Sequence, residues 1–366
     1  MSETSSAVSG ILGMGLYLPE TRRTNDWWPA ETVERWRAEP KRDNPVAMLE
    51  QGPIWEALKK LREDPFGGAV ERRVIDEGMS ASQMETEVAR RALDSAGVGP
   101  ADIDLLLINS WMPTLIGTND ACTVHEALGL RPECMTLTME APFNSFQQQV
   151  VLADAMIRAG HARHALLIQS SVISRFLDYE MPFSPWFGDG ATAQVVGPAS
   201  AECQILGSAQ RTDGKVQGAL MIGTPDKRWH DGGDLVLYVV RAELPLRILN
   251  QLSDCAAEAT EVALQRAGVR KEQIEFYASH QPAPWFRPLT QSATGLDHAA
   301  HADTFEEVGS LGAPNIPLSL HAGIERGLLE PGQLVVTHSG GAGGTWGSLV
   351  LRWGSSAMPP GPFSQS

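Results

Sequence analysis

Residues 92–104 read ALDSAGVGPADID, and residues 263–275 read ALQRAGVRKEQIE. At an offset of 171 the two share Ala-Leu, then Ala-Gly-Val, then Ile followed by a carboxylate. In each, an amphipathic helix is predicted to stop at Ala-Gly, where glycine takes the left-handed conformation that caps a helix C-terminus. Each then crosses a short polar loop into an apolar strand, Leu105 to Ile108 in one copy and Phe276 to Ala278 in the other. A helix, loop and buried strand repeated half a chain apart point to an α/β fold of two duplicated halves. Chance likeness of two helix–turn–strand units is the alternative, and the length of the match counts against it.

Working outward, Gln147 to Ala159 has a helical pattern ending at Gly160, and Ala165 to Ile168 reads as the next strand. Ala191 to Val196 continues a strand after a glycine turn. Leu334-Val335-Val336 and Ser348 to Leu351 flank GGAGG at 340–344 and read as a hairpin-like pair. The halves are placed at 1–200 and 201–354, with a polar, Pro-rich tail at 355–366 expected to be disordered. Residues 27–63 stand apart: Trp27, Trp28, Trp36 and Trp55 fall there, and Ile54, Leu58 and Leu61 recur at helical spacing. A small helical excursion packing its tryptophans on the main core is the favoured reading, and a lid over a binding tunnel is the functional alternative.

Composition bounds the function. With 43% hydrophobic and 20% charged residues, the chain has a globular composition. A net charge of −15 works against binding nucleic acid or an anionic membrane through the overall field. Cys122, Cys134, Cys203 and Cys255 have no metal-ligand or CxxC spacing, so neither a metal site nor a disulfide framework is indicated. No leader-like N-terminus or run of 18 apolar residues is found, and a cytoplasmic location is expected.

The opening ILGMGLYLPETRRTND, then WFGDGATAQVV at 186–196, SHQPAPW at 279–285 and PGQLVVTHSGGAGGTWGSLVLRW at 331–353 follow in fixed order. Together they resemble β-ketoacyl-acyl-carrier-protein synthase III of the thiolase superfamily, over about residues 8–354. The resemblance implies a thiolase-like five-layer αβαβα fold from two similar halves, a homodimer, and acyl-carrier-protein or coenzyme A thioesters as substrates, with no further cofactor. It also implies a Cys-His-Asn site whose cysteine stands at the N-terminus of a buried helix, where the helix lowers its pKa and backbone N–H groups form an oxyanion hole.

Counting back from Gly160 puts that nucleophile position on Phe143, with no cysteine nearby; Cys122 matches a non-catalytic position. His280 keeps the family's His-Gln position. The asparagine position falls on Ser310, and Asn315 comes five residues too late to replace it without a local shift. Gly341-Ala342-Gly343 could supply an oxyanion-hole N–H, or be only a tight turn in the site wall. Asp189 of FGDGA reads as scaffold. The family's Trp and Arg clamp on coenzyme A is not recovered, since its Arg falls near Met181-Pro182 and its Trp in the insertion; this favours a carrier-protein donor.

Four readings follow. His280 could deprotonate a small acceptor that attacks a bound thioester directly. Ser310 or Ser145 could replace the cysteine, giving an ester intermediate or a serine-dependent thioester hydrolase, although serines at helix starts are most often caps. The chain could be a silent partner in a heterodimer with an active ketosynthase. It could also decarboxylate or hydrolyse a bound acyl group, which loss of the asparagine disfavours. Direct acyl transfer in a specialised polyketide or fatty-acyl pathway leads. Arg287 is the candidate for carrier-protein docking, ahead of Arg158 and Arg163, and Gly117 is placed at the tunnel mouth, where the absence of a side chain would admit a bulky acyl group.

Overall fold

A computed structural model describes residues 8–38, 56, 63–117, 120–141, 143–241, 243–341, 343–354 and 362–363. Its strands are β1 Ser9–Tyr17, β2 Arg22–Thr24, β3 Glu71–Arg73, β4 Leu105–Trp111, β5 Met135–Thr138, β6 Ala165–Ser171, β7 Gly190–Pro198, β8 Gln204–Thr212, β9 Met221–Gly223, β10 Val236–Tyr238, β11 Phe276–Ser279, β12 Leu334–Gly340 and β13 Thr345–Arg352. Its helices are α1 Ala30–Ala38, α2 Ala81–Ala96, α3 Asp120–Leu128, α4 Ser145–Arg158, α5 Glu243–Ala267, α6 Phe286–Thr294, α7 Phe305–Val308 and α8 Asn315–Glu325.

One sheet runs β1-β7-β6-β4-β5 and the other β11-β12-β13-β8. Strands β4, β6, β11 and β12 are buried on both faces, which explains their apolar runs. In β4, Leu105 and Leu107 point into a central layer while Leu106 and Ile108 point outward. In the second sheet Phe276 and Ala278 face the same central layer, and Tyr277 faces away. The central layer holds α4 and α8, α2 and α3 pack outside the first sheet, and α5 packs outside the second. The result is five layers, α, β, α, β, α.

The repeated stretch accounts for this geometry residue by residue. Gly97 and Gly268 take φ of +63° and +66°. The next N–H reaches back across each cap, Val98 to Leu93 and Val269 to Leu264, both at 3.1 Å. The shared alanines touch strand glycines. A Cβ on Gly13 would lie 2.4 Å from the Ala96 nitrogen, and one on Gly207 would lie 2.4 Å from the Ala263 carbonyl and 2.7 Å from the Ala267 nitrogen. The shared carboxylates receive backbone N–H groups entering a neighbouring strand. Asp104 accepts from Arg163 at 2.7 Å, and Glu275 from Leu334 at 3.1 Å.

Trp28, Val33 and Trp36 form a small buried cluster with Phe66 and Tyr179, and the Trp36 indole donates to the Glu180 carbonyl at 2.7 Å. These tryptophans pack on the body of the protein. Ile54, Trp55, Leu58 and Leu61 lie outside the described residues. The expectation of a disordered tail fails at Phe363, which is buried over Arg326 and donates its N–H to Glu325 at 2.8 Å; 355–361 and 364–366 lie outside the described residues.

Because α5 rests on Gly207 with no room for a side chain, Gly207→Val should destabilise the chain by about 1–3 kcal/mol. The urea unfolding midpoint would fall with the slope unchanged.

Candidate active site

The head of α4 lies where the two sheets meet. Asn144 occupies the cap position, and its side chain donates to Gln210 at 2.8 Å. The Phe143 carbonyl accepts the Ser339 hydroxyl from β12, which ties the first half to the second. The Phe143 ring lies edge-on to Trp111 at 5.3 Å and tilted against His280 at 4.9 Å.

His280 follows β11, and its N–H continues the parallel ladder onto the His338 carbonyl at 3.0 Å. Gln281 pins the same corner, donating to the Ala302 carbonyl at 3.1 Å and accepting the Thr304 N–H at 2.9 Å. The His280 ring is boxed by Phe143 and Phe286, and Phe286 in turn stacks on His338. Burial pushes the His280 pKa down to about 3; the neighbouring His338 adds to the fall, and the Gly312 backbone and Asn315 side chain oppose it. The ring is therefore neutral at physiological pH, and burial weakens its hold on a proton.

Asn315 also changes its standing. The loop doubles back through Gly309 and Gly312, at φ of +70° and +74°, so the first residue of α8 swings its side chain to His280. Its Oδ1 accepts the Leu311 N–H at 3.0 Å, while among the described residues its Nδ2 and His280 Nδ1 have no hydrogen-bond partner. Five residues of sequence offset are absorbed by two left-handed glycines. Ser310 is fully buried with its hydroxyl 3.4 Å from Asn315 Oδ1. Ser145 spends its hydroxyl proton on the Ala141 carbonyl at 2.5 Å, a helix-start contact and not an activated nucleophile. Asp189 is scaffold: its buried carboxylate accepts the N–H groups of Ile75 at 2.8 Å and Ser174 at 3.0 Å.

On the other side of Phe143 opens a cavity of about 870 Å³. Its walls are mostly apolar, with Trp111, Met112, Leu220, Ile222 and Leu237 around Phe143, and Ser110, Glu140, Lys227 and His230 add polar groups. His280 does not border it. Gly343 does, and Gly341 abuts the ring, a Cβ there standing 3.8 Å from Phe143 Cδ2. Ala342 lies outside the described residues. Gly117 is exposed, with open space where a Cβ would be, and its neighbour Ile116 borders the cavity.

Arg287 is held by its neighbours. It grips Asp303 through two hydrogen bonds of 3.0 and 2.7 Å and donates to Gln291 at 3.0 Å, and its side chain is only 15% exposed. Arg158 is likewise paired with Asp154 on its own helix, and Arg163 is exposed. None of the four cysteines borders the cavity, and burial pushes the Cys134 thiol up to about 11. The cavity residues Ser110 and Trp111 went unremarked in the sequence; the available signal was their place at the end of the LLLINSW strand. Among the described residues, no cluster of His, Cys, Asp and Glu could hold a metal, and no helix is long and apolar enough to cross a membrane.

Residues 138–214 match the family described as 3-oxoacyl-[acyl-carrier-protein] synthase III, and residues 264–353 match its C-terminal domain. The chain is a synthase III-like protein with the thiolase fold. Solved structures with this fold include 3-oxoacyl-(acyl carrier protein) synthase III, FabH, from Pseudomonas aeruginosa, at 23% identity and TM-score 0.76, covering 96% of this chain and 99% of that one. The priming β-ketosynthase of the R1128 polyketide biosynthetic pathway gives 20% identity and TM-score 0.79 over 98% and 99%. OleA from Xanthomonas campestris gives 20% and 0.76 over 95% and 99%. At these identities the likeness is one of fold, and the synthase III-like character rests on the two matched segments.

The buried histidines make stability depend on pH. His280 is pushed down to about 3, and His321 and His338 to about 4. Their folded pKa values lie below the unfolded one near 6.5, so between pH 6.5 and 4 the unfolded chain takes up protons that the folded chain refuses. Each histidine should then lower stability by up to about 1.4 kcal/mol per pH unit as pH falls through that window. Urea titrations at stepped pH should show this, and His338→Gln should remove one proton from the slope.

Proposed function

We propose that the chain is a ketosynthase III-like acyltransferase that holds an acyl thioester in the cavity and passes the acyl group to a small acceptor without an acyl-enzyme. One observation carries the reading: Phe143 fills the head of the buried helix and seals His280 on one side, while its other side forms the wall of a large apolar cavity. An apolar chamber of this size with a few polar groups suits an acyl chain and its reacting end. A phenyl ring cannot accept an acyl group, Ser145 is committed to Ala141, and Ser310 faces Asn315. The acceptor must then attack the thioester within the cavity: the new bond to carbon forms, the C–S bond breaks, and the acceptor's proton ends on the departing thiol.

Intact-protein mass spectrometry with octanoyl-carrier protein and octanoyl-coenzyme A tests this. The wild type should form acyl product from an added alcohol or amine with no covalent adduct. Phe143→Cys should gain an octanoyl adduct of one per chain, because the new thiol would stand at the helix N-terminus beside His280. An adduct on the wild type would overturn direct transfer.

A silent-partner role is the second reading, and one observation favours it. Among the described residues the outer edge of β5 has no partner strand, with Met135 on it 47% exposed, and Leu115 and Ile116 are 55% and 69% exposed. Such an edge and apolar loop suit a second chain. A monomer by light scattering, together with no acyl product, would move this reading ahead.

A further inference from the structure

We propose that Ser110 and Glu85 form a proton-accepting pair in the cavity wall: Ser110 receives the O–H or N–H of the acyl acceptor, and Glu85 takes the proton through Ser110. The pair deepens the acyl-transfer reading and rests on it, naming the acceptor as an alcohol or amine.

Glu85 lies on α2, is fully buried and, among the described residues, has no cation beside it. Its Oε1 accepts two hydroxyls, Ser110 and Ser170, each at 2.5 Å, and among the described residues Oε2 has no partner. The two serines face each other in register on the neighbouring parallel strands β4 and β6, so the sheet itself aims both at one carboxyl group. Ser110 is the member that borders the cavity. Two residues on, Met112 also borders it and holds φ at +74°, a conformation costly for a side chain of that size. A buried carboxyl group without a counter-charge is expensive. Here it sits behind a strained strand end at the wall of the chamber where the acceptor must react.

The hydrogen-bond pattern sets the direction. With its own proton donated to Glu85, Ser110 Oγ keeps its lone pairs for a ligand that donates. As the acceptor attacks the thioester carbon, its proton moves to Ser110 Oγ while the Ser110 proton moves to Glu85 Oε1. The C–S bond then breaks, and the proton returns by the same path to the thiolate. Burial pushes the Glu85 pKa up to about 7 against the two serine hydrogen bonds, and Asp120 on α3 raises it further. That suits a base working near neutrality. Of the other strands under α2, β7 carries no titratable residue and β1 only Tyr17, whose hydroxyl is held by Met79. Glu85 is thus a positioning residue acting through Ser110, with Asp120 its nearest charge.

The test uses the full chain with octanoyl-coenzyme A and hexanol or hexylamine from pH 5.5 to 8.5, alongside infrared titration of 13C-glutamate-labelled protein. Wild-type transfer should rise through pH 7. Glu85→Gln, which removes a buried charge at constant shape, should lower transfer at pH 8 by about a hundredfold or more and flatten the profile, with octanoyl-coenzyme A binding retained. Ser110→Ala should do the same, and Ser110→Thr should restore the rate. If the wild type transfers and Glu85→Gln keeps its rate and profile, the pair is overturned while the transfer reading stands. If the wild type binds without transferring, the transfer reading fails and the infrared band decides. A Glu85 carboxyl titrating near neutrality, shifted by hexanol in the wild type and not in Ser110→Ala, supports the pair. A band indifferent to hexanol overturns it.

Discussion

The burial of α4 between two sheets is the constraint on which the molecule turns. A helix enclosed in this way must satisfy its polar side chains inside the protein. Gln147 donates to Thr337 in the opposite sheet, and Gln149 joins Gln169, Gln194 and Thr192 in one buried chain. These bonds fix the rotation of the helix about its axis and leave its first turn at the junction of the halves. The Ser339 hydroxyl on the Phe143 carbonyl completes the fixation. Whatever residue stands at that head therefore touches the strand ends of both sheets at once.

With phenylalanine there, one junction becomes two compartments of different character. On the His280 side, aromatic rings exclude solvent and hold the imidazole neutral. On the cavity side, Ser110, Glu140 and His230 remain among apolar walls. The synthase III-like scaffold is intact around this partition, including the glycine turn beside the ring and the return of Asn315 to His280. The consequences of the phenyl ring are electrostatic as much as steric: a ring that excludes solvent lowers the basicity of the histidine it covers.

Much of this was legible in the chain. The twin Ala-Gly stretches carry their own helix stop, their contact with strand glycines and the carboxylate that locks the next strand, and all of these are local. That His280 follows a strand and Phe143 precedes a helix was legible too, because spacing within continuous elements translates directly into position. Asn315 was misjudged because two left-handed glycines shorten the path in space without shortening it in sequence. The pairing of Arg287 was not legible, because its partner Asp303 is brought alongside only by the folded corner that Gln281 pins. Phe363 was misjudged because its burial depends on α8, which lies far back along the chain.

By itself, then, the sequence determined a duplicated α/β architecture with buried strands, and a histidine and a phenylalanine at matched strand and helix ends, since periodicity, glycine caps and close-packed alanines act over a few residues. Only the tertiary structure decided that the phenyl ring seals the histidine, that Asn315 returns to it, and that two serines on neighbouring strands converge on Glu85. Those outcomes depend on ring packing, solvent exclusion and strand register between segments distant in the chain, which no local pattern encodes.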